Sequence, residues 1–403
     1  MTRLDLSGTT LLAMRALWEQ RPLIERATAL GADVIAVDED DDAEGLAVAD
    51  KSVVVPDLRD LGACYEAATD HTVDAVVSDQ CDYSLFAVSY VGERLGLPAV
   101  SLEAAQRMTN KKRMREATGD AVAQPAHELV MTPAGAREAA AAVGYPCVFK
   151  PVDNRGGFGV SKVDSEEDLT AAFYEALENS HGREVLVERF VEGVPVTVDG
   201  YCLDGEHRSL AVASKNTAMG SLHPTLEITY PARIADSDIE RARAANDAVA
   251  EALGVEMGAT HAEYILTDDE VYLLEFQNRG GGVHTSARII PAVTGFDVTD
   301  QLLADATGQR TGQEDGDFPM QNAAVMRFLD FEPGYVERVE NLDRVRKDED
   351  VLTFRLYFEA DEEIADFSAF TDSHGVIIAT GETPEAATDA IDRALAEFEL
   401  VYR

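Results

Sequence analysis

The sequence contains little positive charge and very little lysine. Its 34 basic residues, of which seven are lysine, stand against 75 acidic residues and leave a net charge of −41. This shortage argues against nucleic acids and membranes as partners, because both are bound through clustered cations. The acidic residues are spread along the whole chain, which is typical of a halophilic protein whose salt-rich cytoplasm screens their repulsion. An ordinary acidic enzyme is the alternative.

Cysteine and long apolar runs are also scarce. The four cysteines lie far apart and match no zinc pattern, so we expect small buried side chains in a reducing cytoplasm. No apolar run approaches the roughly 18 residues of a membrane span, and the start of the chain predicts no signal peptide. With 403 residues, 46% of them hydrophobic, the chain is expected to be a cytoplasmic globular protein of several subdomains.

Glycine is missing where a dinucleotide-binding protein needs it. The first hundred or so residues alternate strand and helix patterns, which predicts a Rossmann-like parallel sheet with helices on both faces. The turn after the first strand, residues 14–21, contains no glycine. A backbone contact with a pyrophosphate is therefore not expected, which argues against a dehydrogenase. The predicted strands are residues 9–13, 33–37, 53–55 and 74–78, and the predicted helices are residues 22–30 and 85–95.

The pattern changes after residue 101. The sequence predicts one charged helix over residues 102–117, a second helix over 134–143 and a strand over 146–150. Strand signals follow at residues 127–130, 160–163, 185–201, 261–266, 270–276 and 375–380, and a helix signal at 384–399. Residues 311–317 are polar and predict a linker or loop.

A lysine and a glycine loop carry the first chemical signal. The apolar strand ends at Lys150, and a turn with Gly156, Gly157 and Gly159 follows. Glycines allow backbone N–H groups to close over phosphate oxygens, and the lysine adds a positive charge against the same phosphates. The turn is not a Walker loop, because no Gly-Lys-Ser/Thr follows it. A surface hairpin is the alternative interpretation.

Two acids on neighbouring predicted strands carry the second signal. Glu263 and Glu275 are expected to project from the same face, where converging carboxylates are natural ligands for Mg2+. Arg279 follows closely and can neutralise a carboxylate or an acyl phosphate. A solvent-facing acidic pair is the alternative, but Leu273 and Leu274 beside Glu275 favour partial burial, where an unpaired acid is costly.

In this order and spacing, the two signals resemble the ATP-grasp superfamily of carboxylate–amine and carboxylate–thiol ligases, over nearly the whole chain. The resemblance implies a mixed α/β and α+β fold, in which a Rossmann-like domain (1–108) precedes an ATP-grasp fold. The two ATP-grasp subdomains would cover residues 109–190 and 191–310, and a C-terminal lobe like that of biotin carboxylases and amino acid ligases would cover 311–403. Dimers are common in the family, so a homodimer is one expectation.

The resemblance also implies roles for individual residues. Lys111 and Lys150 are expected on the ATP phosphates, together with the three loop glycines. The hinge that reads adenine and ribose would comprise Glu188, Arg189, Val191 and Glu192. The metal ligands would be Glu263, Glu275 and Gln277, which stands where the family has an asparagine. Asn278 would replace Gln277 only if the strand is bulged.

On the substrate side, the resemblance implies that residues 223–232 form a strand near a substrate ammonium group, with Glu227 as the contact. Arg279, Gly281 and His284 are expected to line the same cavity. The alternatives are a surface acid for Glu227 and a structural loop for His284.

The function implied is ATP-dependent activation of a small-molecule carboxylate as an acyl phosphate, followed by transfer to an amine with release of ADP and phosphate. Arg279, Lys150 and Glu227 would be the catalytic residues, and the cofactor Mg2+, with Mn2+ as the other candidate ion. A bicarbonate-dependent carboxylase of the biotin carboxylase or carboxyaminoimidazole ribonucleotide synthase type is an alternative. A non-catalytic nucleotide-binding regulatory protein is another.

Overall fold

The computed structural model describes residues 4–154, 156–217, 225–367 and 373–403. The strands are β1 (Thr10–Met14), β2 (Asp33–Asp38), β3 (Lys51–Val54), β4 (Ala75–Val77), β5 (His127–Val130), β6 (Cys147–Pro151), β7 (Ser161–Val163), β8 (Val185–Arg189), β9 (Val194–Leu203), β10 (Glu206–Thr217), β11 (Thr225–Tyr230), β12 (Gly258–Leu266), β13 (Val271–Gln277), β14 (Ala323–Leu329), β15 (Gly334–Glu340), β16 (Val351–Leu356), β17 (Glu362–Ile364), β18 (Gly375–Gly381) and β19 (Glu399–Tyr402). The helices are α1 (Arg21–Ala29), α2 (Leu61–His71), α3 (Asp82–Leu95), α4 (Leu102–Met108), α5 (Lys111–Thr118), α6 (Pro133–Val143), α7 (Glu166–Glu178), α8 (Asp236–Leu253), α9 (Ile290–Thr294), α10 (Val298–Thr307), α11 (Leu342–Arg346) and α12 (Pro384–Ala396). Among these described helices, none is both long enough and apolar enough to cross a membrane.

The first sheet is parallel, as predicted, with strand order β3-β2-β1-β4. Its side chains alternate between two cores, because successive residues of a strand face opposite ways. Leu12 and Met14 pack with α2 and α3 on one face, and Leu11 and Ala13 with α1 on the other. The second face is completed by α10, whose Leu303 comes from far along the chain.

A second four-stranded sheet, which we call the small sheet, is antiparallel with strand order β5-β8-β6-β7. Helices α6 and α7 cover one face, where Phe149 and Phe173 are fully buried. Lys150 and Glu188 belong to the other face, because Val148 pairs with Glu188 and Lys150 with Leu186. The face opposite the helices therefore carries the predicted lysine.

The large sheet has eight antiparallel strands in the order β13-β12-β9-β10-β11-β14-β18-β16. Helices α8 and α12 pack on one face, and the opposite face carries Glu263 and Glu275. Three of the strands, β14, β16 and β18, belong to the segment that was expected to form a C-terminal lobe. The large sheet therefore contains strands from both sides of the boundary predicted between residues 310 and 311. The remaining strands form a three-stranded sheet of order β17-β15-β19.

The single helix predicted over residues 102–117 is wrong, because the chain forms α4 and α5 instead. Thr109 ends α4, and Asn110 adopts an extended conformation in which its side chain accepts a hydrogen bond from Arg113 N. An asparagine in this position caps a new helix by satisfying one of its free N–H groups. The break makes Lys111 the first residue of α5, where its own N–H donates to Val152 O at 2.8 Å.

Candidate functional site

Two acids face each other on β12 and β13. Glu263 pairs directly with Glu275, and His261 pairs with Gln277, so all four side chains leave the same face of the sheet. Directly opposed residues of an antiparallel pair have Cβ atoms about 5 Å apart. The convergence of the two carboxylates is therefore set by strand register.

A β-bulge follows this pair. Tyr264 is opposite Leu273, so Leu274 is the extra residue on β13. The carbonyl of Leu274 accepts a hydrogen bond of 2.9 Å from Arg115 Nη2. Bulges redirect neighbouring side chains and are common beside active sites, and here the bulge adjoins Glu275.

Each acid has a lysine beside it. Lys111 Nζ lies 2.9 Å from Glu275 Oε1 and donates to Asn154 O at 2.6 Å. Lys215 Nζ lies 2.6 Å from Glu263 Oε1. Burial would raise the pKa of Glu263, but the charges of Lys215 and His261 outweigh it and lower the pKa to about 2. Glu263 is therefore an anion at any physiological pH.

Lys150 is held by a buried network on the small sheet. Its Nζ lies 2.5 Å from Glu188 Oε2, and Arg115 Nε lies 2.9 Å from Glu188 Oε1. Burial lowers the pKa of Lys150, and the positive charges of Arg115 and Lys111 lower it further, whereas the negative charge of Glu188 raises it. The net effect is a lowered pKa. Burial would raise the pKa of Glu188, but Arg115 and Lys150 lower it to about 2.

This network links the two sheets. Arg115 bonds both Glu188 on the small sheet and Leu274 on the large sheet. The same arginine therefore connects the sheet of Lys150 with the strand of Glu275, and a shared phosphate and metal site stays a prediction. Both side-chain oxygens of Glu188 are engaged, by Lys150 and Arg115, and the predicted contact of this region with adenine stays a prediction.

The hinge segment after β8 is at the surface. Arg189 and Glu192 have exposed side chains, and Val191 is half-buried. The Arg189 N–H donates to Ala126 O at 2.8 Å, so this donor is already used within the protein. The adenine and ribose contacts of Arg189, Val191 and Glu192 stay predictions.

The glycine loop is anchored at its start, by Asp153. Asp153 accepts hydrogen bonds from His181 N and Gly182 N, at 3.1 and 2.7 Å. Gly156, Gly157 and Gly159 all have positive φ angles, between 62° and 78°, which side chains rarely adopt. A Cβ at Gly159 would lie 2.7 Å from Asn179 Cβ. The loop thus brings backbone close to Lys111, and Arg155 within it lies outside the described residues.

Arg279 is fixed from the amino-terminal sheet. Its Nε donates to Asp82 Oδ1 at 2.9 Å, and its Nη1 donates to Gly280 O at 2.8 Å. A Cβ at Gly281 would lie 2.8 Å from Thr285 Cγ2 and 2.9 Å from Asp199 Oδ1. Close packing against protein atoms therefore explains the glycine at position 281, and its predicted substrate contact is untested.

His284 packs against Trp18 and a carboxyl-terminal strand, and its predicted place in the substrate cavity stays a prediction. Its ring centroid lies 4.4 Å from that of Trp18, and its Nδ1 lies 3.2 Å from Thr353 Oγ1. Burial lowers the pKa of His284 to about 4, so the ring is neutral at physiological pH. His284 is wedged between the amino-terminal sheet and the carboxyl-terminal strands.

Glu227 points away from the acids, and its predicted place near a substrate is wrong. It pairs with Asn216 on β10 and Arg327 on β14. Lys215 precedes Asn216 on β10, so it lies on the opposite face, where it contacts Glu263. Its carboxylate accepts a hydrogen bond of 3.1 Å from Arg327 Nε, on the face that α12 covers. Positions 223 and 224 of the predicted strand lie outside the described residues.

The residues present fit a hard cation such as Mg2+. Gln277 Nε2 donates to Glu275 Oε1 at 2.7 Å, while the buried Gln277 Oε1 has no hydrogen-bond partner among the described residues. A buried oxygen without a partner is costly, and coordination to a cation would satisfy it. Asn278 Oδ1 is also buried without a partner among the described residues, but Asn278 faces the other side of the strand, where it donates to Met257 O and Ala259 O at 3.1 and 2.8 Å. Gln277 is therefore the better candidate ligand.

Several residues of the site were not predicted. Lys215 had one sequence signal, which is the rarity of lysine in this chain. Arg115 lies one helical turn after Lys111 and thus shares its face of α5. Asp82 follows a strand of the parallel sheet, at the edge where ligand-binding loops gather.

A separate groove of about 740 Å³ lies outside this constellation. Its lining includes Arg107, Lys112 and Arg113, together with the acids Glu103 and Glu116. The groove mixes both charges and contains none of the converging lysines and acids. This groove is therefore not part of the candidate site.

Sequence comparisons agree with the geometry. Residues 143–287 match the model of the ATP-grasp domain, and residues 327–403 match that of the L-amino acid ligase C-terminal domain 2. The carbamoyl phosphate synthase large chain of Mycobacterium bovis is 32% identical over 173 residues, which are 42% of this chain and 15% of that protein. The present chain thus corresponds to a small part of such relatives.

Two further proteins are similar over a larger share. The formate-dependent phosphoribosylglycinamide formyltransferase of Flavobacterium psychrophilum is 30% identical over 280 residues, 63% of this chain and 66% of that protein. The crystal structure of an L-amino acid ligase from Bacillus licheniformis superposes with a TM-score of 0.84, at 20% identity and with 100% of both chains covered. This structural likeness shows the fold. The chain therefore belongs to the ATP-grasp superfamily and carries a C-terminal domain of the L-amino acid ligase type.

Proposed function

We propose that this protein is an ADP-forming ligase that joins the carboxylate of one small molecule to the amine of another. The observation that carries the proposal is the contact of two lysines with two opposed acids, beside a third lysine that a buried ion-pair network holds. Lys111 and Lys215 contact Glu275 and Glu263, and Arg115 connects these strands to Glu188, which holds Lys150. Such a cluster is suited to a triphosphate and its metal ion.

ATP would lie between the open face of the small sheet and the acid-bearing face of the large sheet. Lys150 is held by Glu188 so that its ammonium group is already oriented, and Lys111 extends from the first residue of α5 beside the glycine loop. Phosphoryl transfer depends mainly on positioning and on charge stabilisation. Preoriented lysines lower the barrier because they need no rearrangement when charge develops.

Glu263, Glu275 and Gln277 would hold Mg2+. The ion would supply charge neutralisation on the phosphate oxygens. Carboxylate and amide oxygens are the ligands that this ion prefers. Lys111 and Lys215 lie within 3 Å of the same carboxylates, so they are also within reach of phosphate oxygens bound there.

Arg279 would bind the substrate carboxylate. An oxygen of that carboxylate attacks the γ-phosphorus, the bond to the β-phosphate oxygen breaks, and ADP leaves. The amine of the second substrate then attacks the acyl carbon, and phosphate leaves with the electron pair of the C–O bond. Closure of the glycine loop, whose Phe158 is 48% exposed, would keep water from the acyl phosphate.

Amino acids are the substrates that we favour. The support is the match of residues 327–403 to an L-amino acid ligase domain and the likeness to a solved L-amino acid ligase. Glu227 gives no support, because it lies on the opposite face of the sheet.

The test is a phosphate- and ADP-release screen of paired L-amino acids in concentrated potassium chloride, with and without bicarbonate. The expected result is ADP release that requires both a carboxylate and an amine. ADP release that depends on bicarbonate, without any amino acid, would instead identify a carboxylase. ATP binding without ADP formation across the whole screen would indicate a regulatory nucleotide-binding protein.

A further inference from the structure

Arg279 and the residues after it are held by a loop of the amino-terminal sheet. We call residues 78–82, which follow β4, the β4 loop, and residues 279–286 the arginine loop. Four side-chain hydrogen bonds join them. They are Arg279 Nε to Asp82 Oδ1 (2.9 Å), Gly280 N to Asp79 Oδ1 (2.9 Å), His284 N to Gln80 Oε1 (2.8 Å) and Ser286 Oγ to Asp79 Oδ2 (2.6 Å).

The β4 loop and the arginine loop are packed closely at Gly280, with no space for a side chain between them. A Cβ at Gly280 would lie 2.4 Å from Asp79 Oδ1 and 2.3 Å from Ser286 Oγ. Gln20 braces the β4 loop from behind, because its side chain accepts from Asp79 N at 3.1 Å and donates to Asp79 O and Ser78 Oγ. Interiors packed in this way transmit small displacements. The position of the arginine loop is therefore set by the amino-terminal sheet.

Asp82 determines how the guanidinium group is presented. The group is planar, so two contacts define its orientation. Asp82 takes Nε and the carbonyl of Gly280 takes Nη1. Among the described residues no hydrogen-bond partner of Nη2 is present, which leaves this nitrogen for a ligand. Asp82 and Arg279 are both mostly shielded, with side chains 10% and 15% exposed, so their attraction is weakly screened by solvent.

We propose that Asp82 is a positioning residue for the substrate carboxylate, acting through Arg279. The inference rests on the proposed ligase function and extends it to the amino-terminal domain. Asp82 would not touch the substrate. Its carboxylate keeps the Arg279 guanidinium in the plane in which Nη2 meets the carboxylate and, after phosphoryl transfer, the acyl phosphate.

The test compares Asp82→Asn and Asp82→Glu in the full-length protein, with ADP release measured against each substrate in turn. Asp82→Asn keeps the shape and loses the charge. We expect the KM for the carboxylate substrate to rise by about tenfold or more, as for a lost hydrogen bond between charged groups. The KM for ATP should stay within about twofold, because Lys111 and Lys150 are untouched. Asp82→Glu should restore part of the affinity for the carboxylate.

A double-mutant cycle supplies the readout that a merely structural role would not move. If Asp82 acts through Arg279, then Asp82→Asn should add little to the defect of Arg279→Lys. The matched control is Asp300→Asn, because Asp300 also pairs with an arginine of the amino-terminal sheet layer, Arg26, at 2.6 and 2.7 Å, but away from Arg279. It should leave the KM for the carboxylate unchanged.

The outcomes separate the two hypotheses. Wild-type activity with an unchanged carboxylate KM in Asp82→Asn would overturn the role of Asp82 and leave the ligase function intact. Equal increases in the KM values for ATP and carboxylate, or full additivity with Arg279→Lys, would also overturn it. Absence of ADP release from the wild type with every substrate pair would overturn both.

Discussion

Lys215 lies with its ammonium nitrogen 2.6 Å from Oε1 of Glu263, at the centre of the face where the second acid, Glu275, also projects. The ion pair lowers the pKa of Glu263 against the effect of burial. It also places a third lysine beside a carboxylate that we propose as a metal ligand. A chain that uses only seven lysines has three of them in this one site.

Replacing Lys215 with Met should reduce turnover by about 100-fold or more, because a preoriented charge on the transferred phosphate is lost. The loss should appear in kcat more than in the KM for ATP, and steady-state ADP release measures both. Lys51→Met is the control, since Lys51 is half-exposed and lies on the outer strand of the first sheet. Equal activity of the two variants would contradict the role of Lys215.

Replacing Lys150 with Ala should weaken ATP binding by about 100-fold or more, because the variant loses a charge-assisted contact in a shielded site. The pKa of Glu188 should rise from about 2, since Arg115 alone then balances it. Titration calorimetry with ATP measures the affinity. Lys347→Ala, at an exposed position after α11, is the control, and unchanged affinity in Lys150→Ala would argue against the site.

Gln277 and Asn278 should respond differently to substitution. Gln277→Leu removes the unpartnered oxygen, so the Mg2+ concentration for half-maximal activity should rise by about tenfold. Asn278→Ala should lower the free energy of unfolding by about 1–3 kcal/mol, because two backbone carbonyls lose their donor, and leave the metal requirement unchanged. Metal titrations of activity and of Mn2+ binding, with urea unfolding alongside, make the comparison. A metal defect in Asn278→Ala would reverse the assignment.

Glu227→Gln should have almost no effect on catalysis. Its carboxylate bonds Arg327, which keeps Asp392 as a second partner at 2.6 Å, so we expect a stability loss of about 1 kcal/mol. Glu275→Ala should by contrast abolish Mg2+-dependent turnover. Thermal unfolding and ADP release of the two variants distinguish these effects, and a large kinetic defect in Glu227→Gln would restore it to the site.

The free energy of unfolding should decrease as the pH is lowered from about 6.5 to 4, because of His284. Burial lowers the pKa of His284 from 6.5 to about 4, so in this range the unfolded chain binds a proton that the folded chain does not. The stabilisation that comes from keeping His284 neutral is therefore complete above pH 6.5, and it is lost as the pH falls from there through about 4. Urea unfolding at several pH values, at constant salt, measures it.

His284→Asn should flatten this pH dependence, since asparagine tolerates the left-handed backbone of this position (φ 60°) and does not titrate. His71→Asn is the control, because His71 lies in the last turn of α2, away from the Trp18 contact. An unchanged slope in His284→Asn would show that another group causes the dependence.

Local sequence patterns predicted most elements near the site. The sequence predicted that Glu263 and Glu275 share a face, but the two-residue period of a strand does not decide this by itself. Counted from the pair of Leu266 and Val271, strict alternation would place Leu274 opposite Glu263, and the bulge at Leu274 brings Glu275 there instead. The glycines after Lys150 predicted the loop, since positive φ angles favour glycine. The break at Asn110 was also a local signal, because asparagine is a preferred helix cap; the charged pattern of residues 102–117 concealed it.

Glu227 illustrates what a pattern within one strand cannot decide. Its strand was predicted, but the face on which it lies depends on pairing with β10 and β14. A shift of one residue in register exchanges the two faces of a strand. Lys215 and Glu227 are both charged residues on neighbouring strands, yet only Lys215 faces Glu263.

The sequence by itself determined the local elements and the glycine loop, because these follow from backbone periods and side-chain chemistry over a few residues. Only the tertiary structure decided that Lys215 meets Glu263, that Arg115 links Glu188 to β13 and that Asp82 holds Arg279. These partners are 48, 73 and 197 residues apart. Contacts over such separations depend on how whole sheets pack, which no short stretch of sequence encodes.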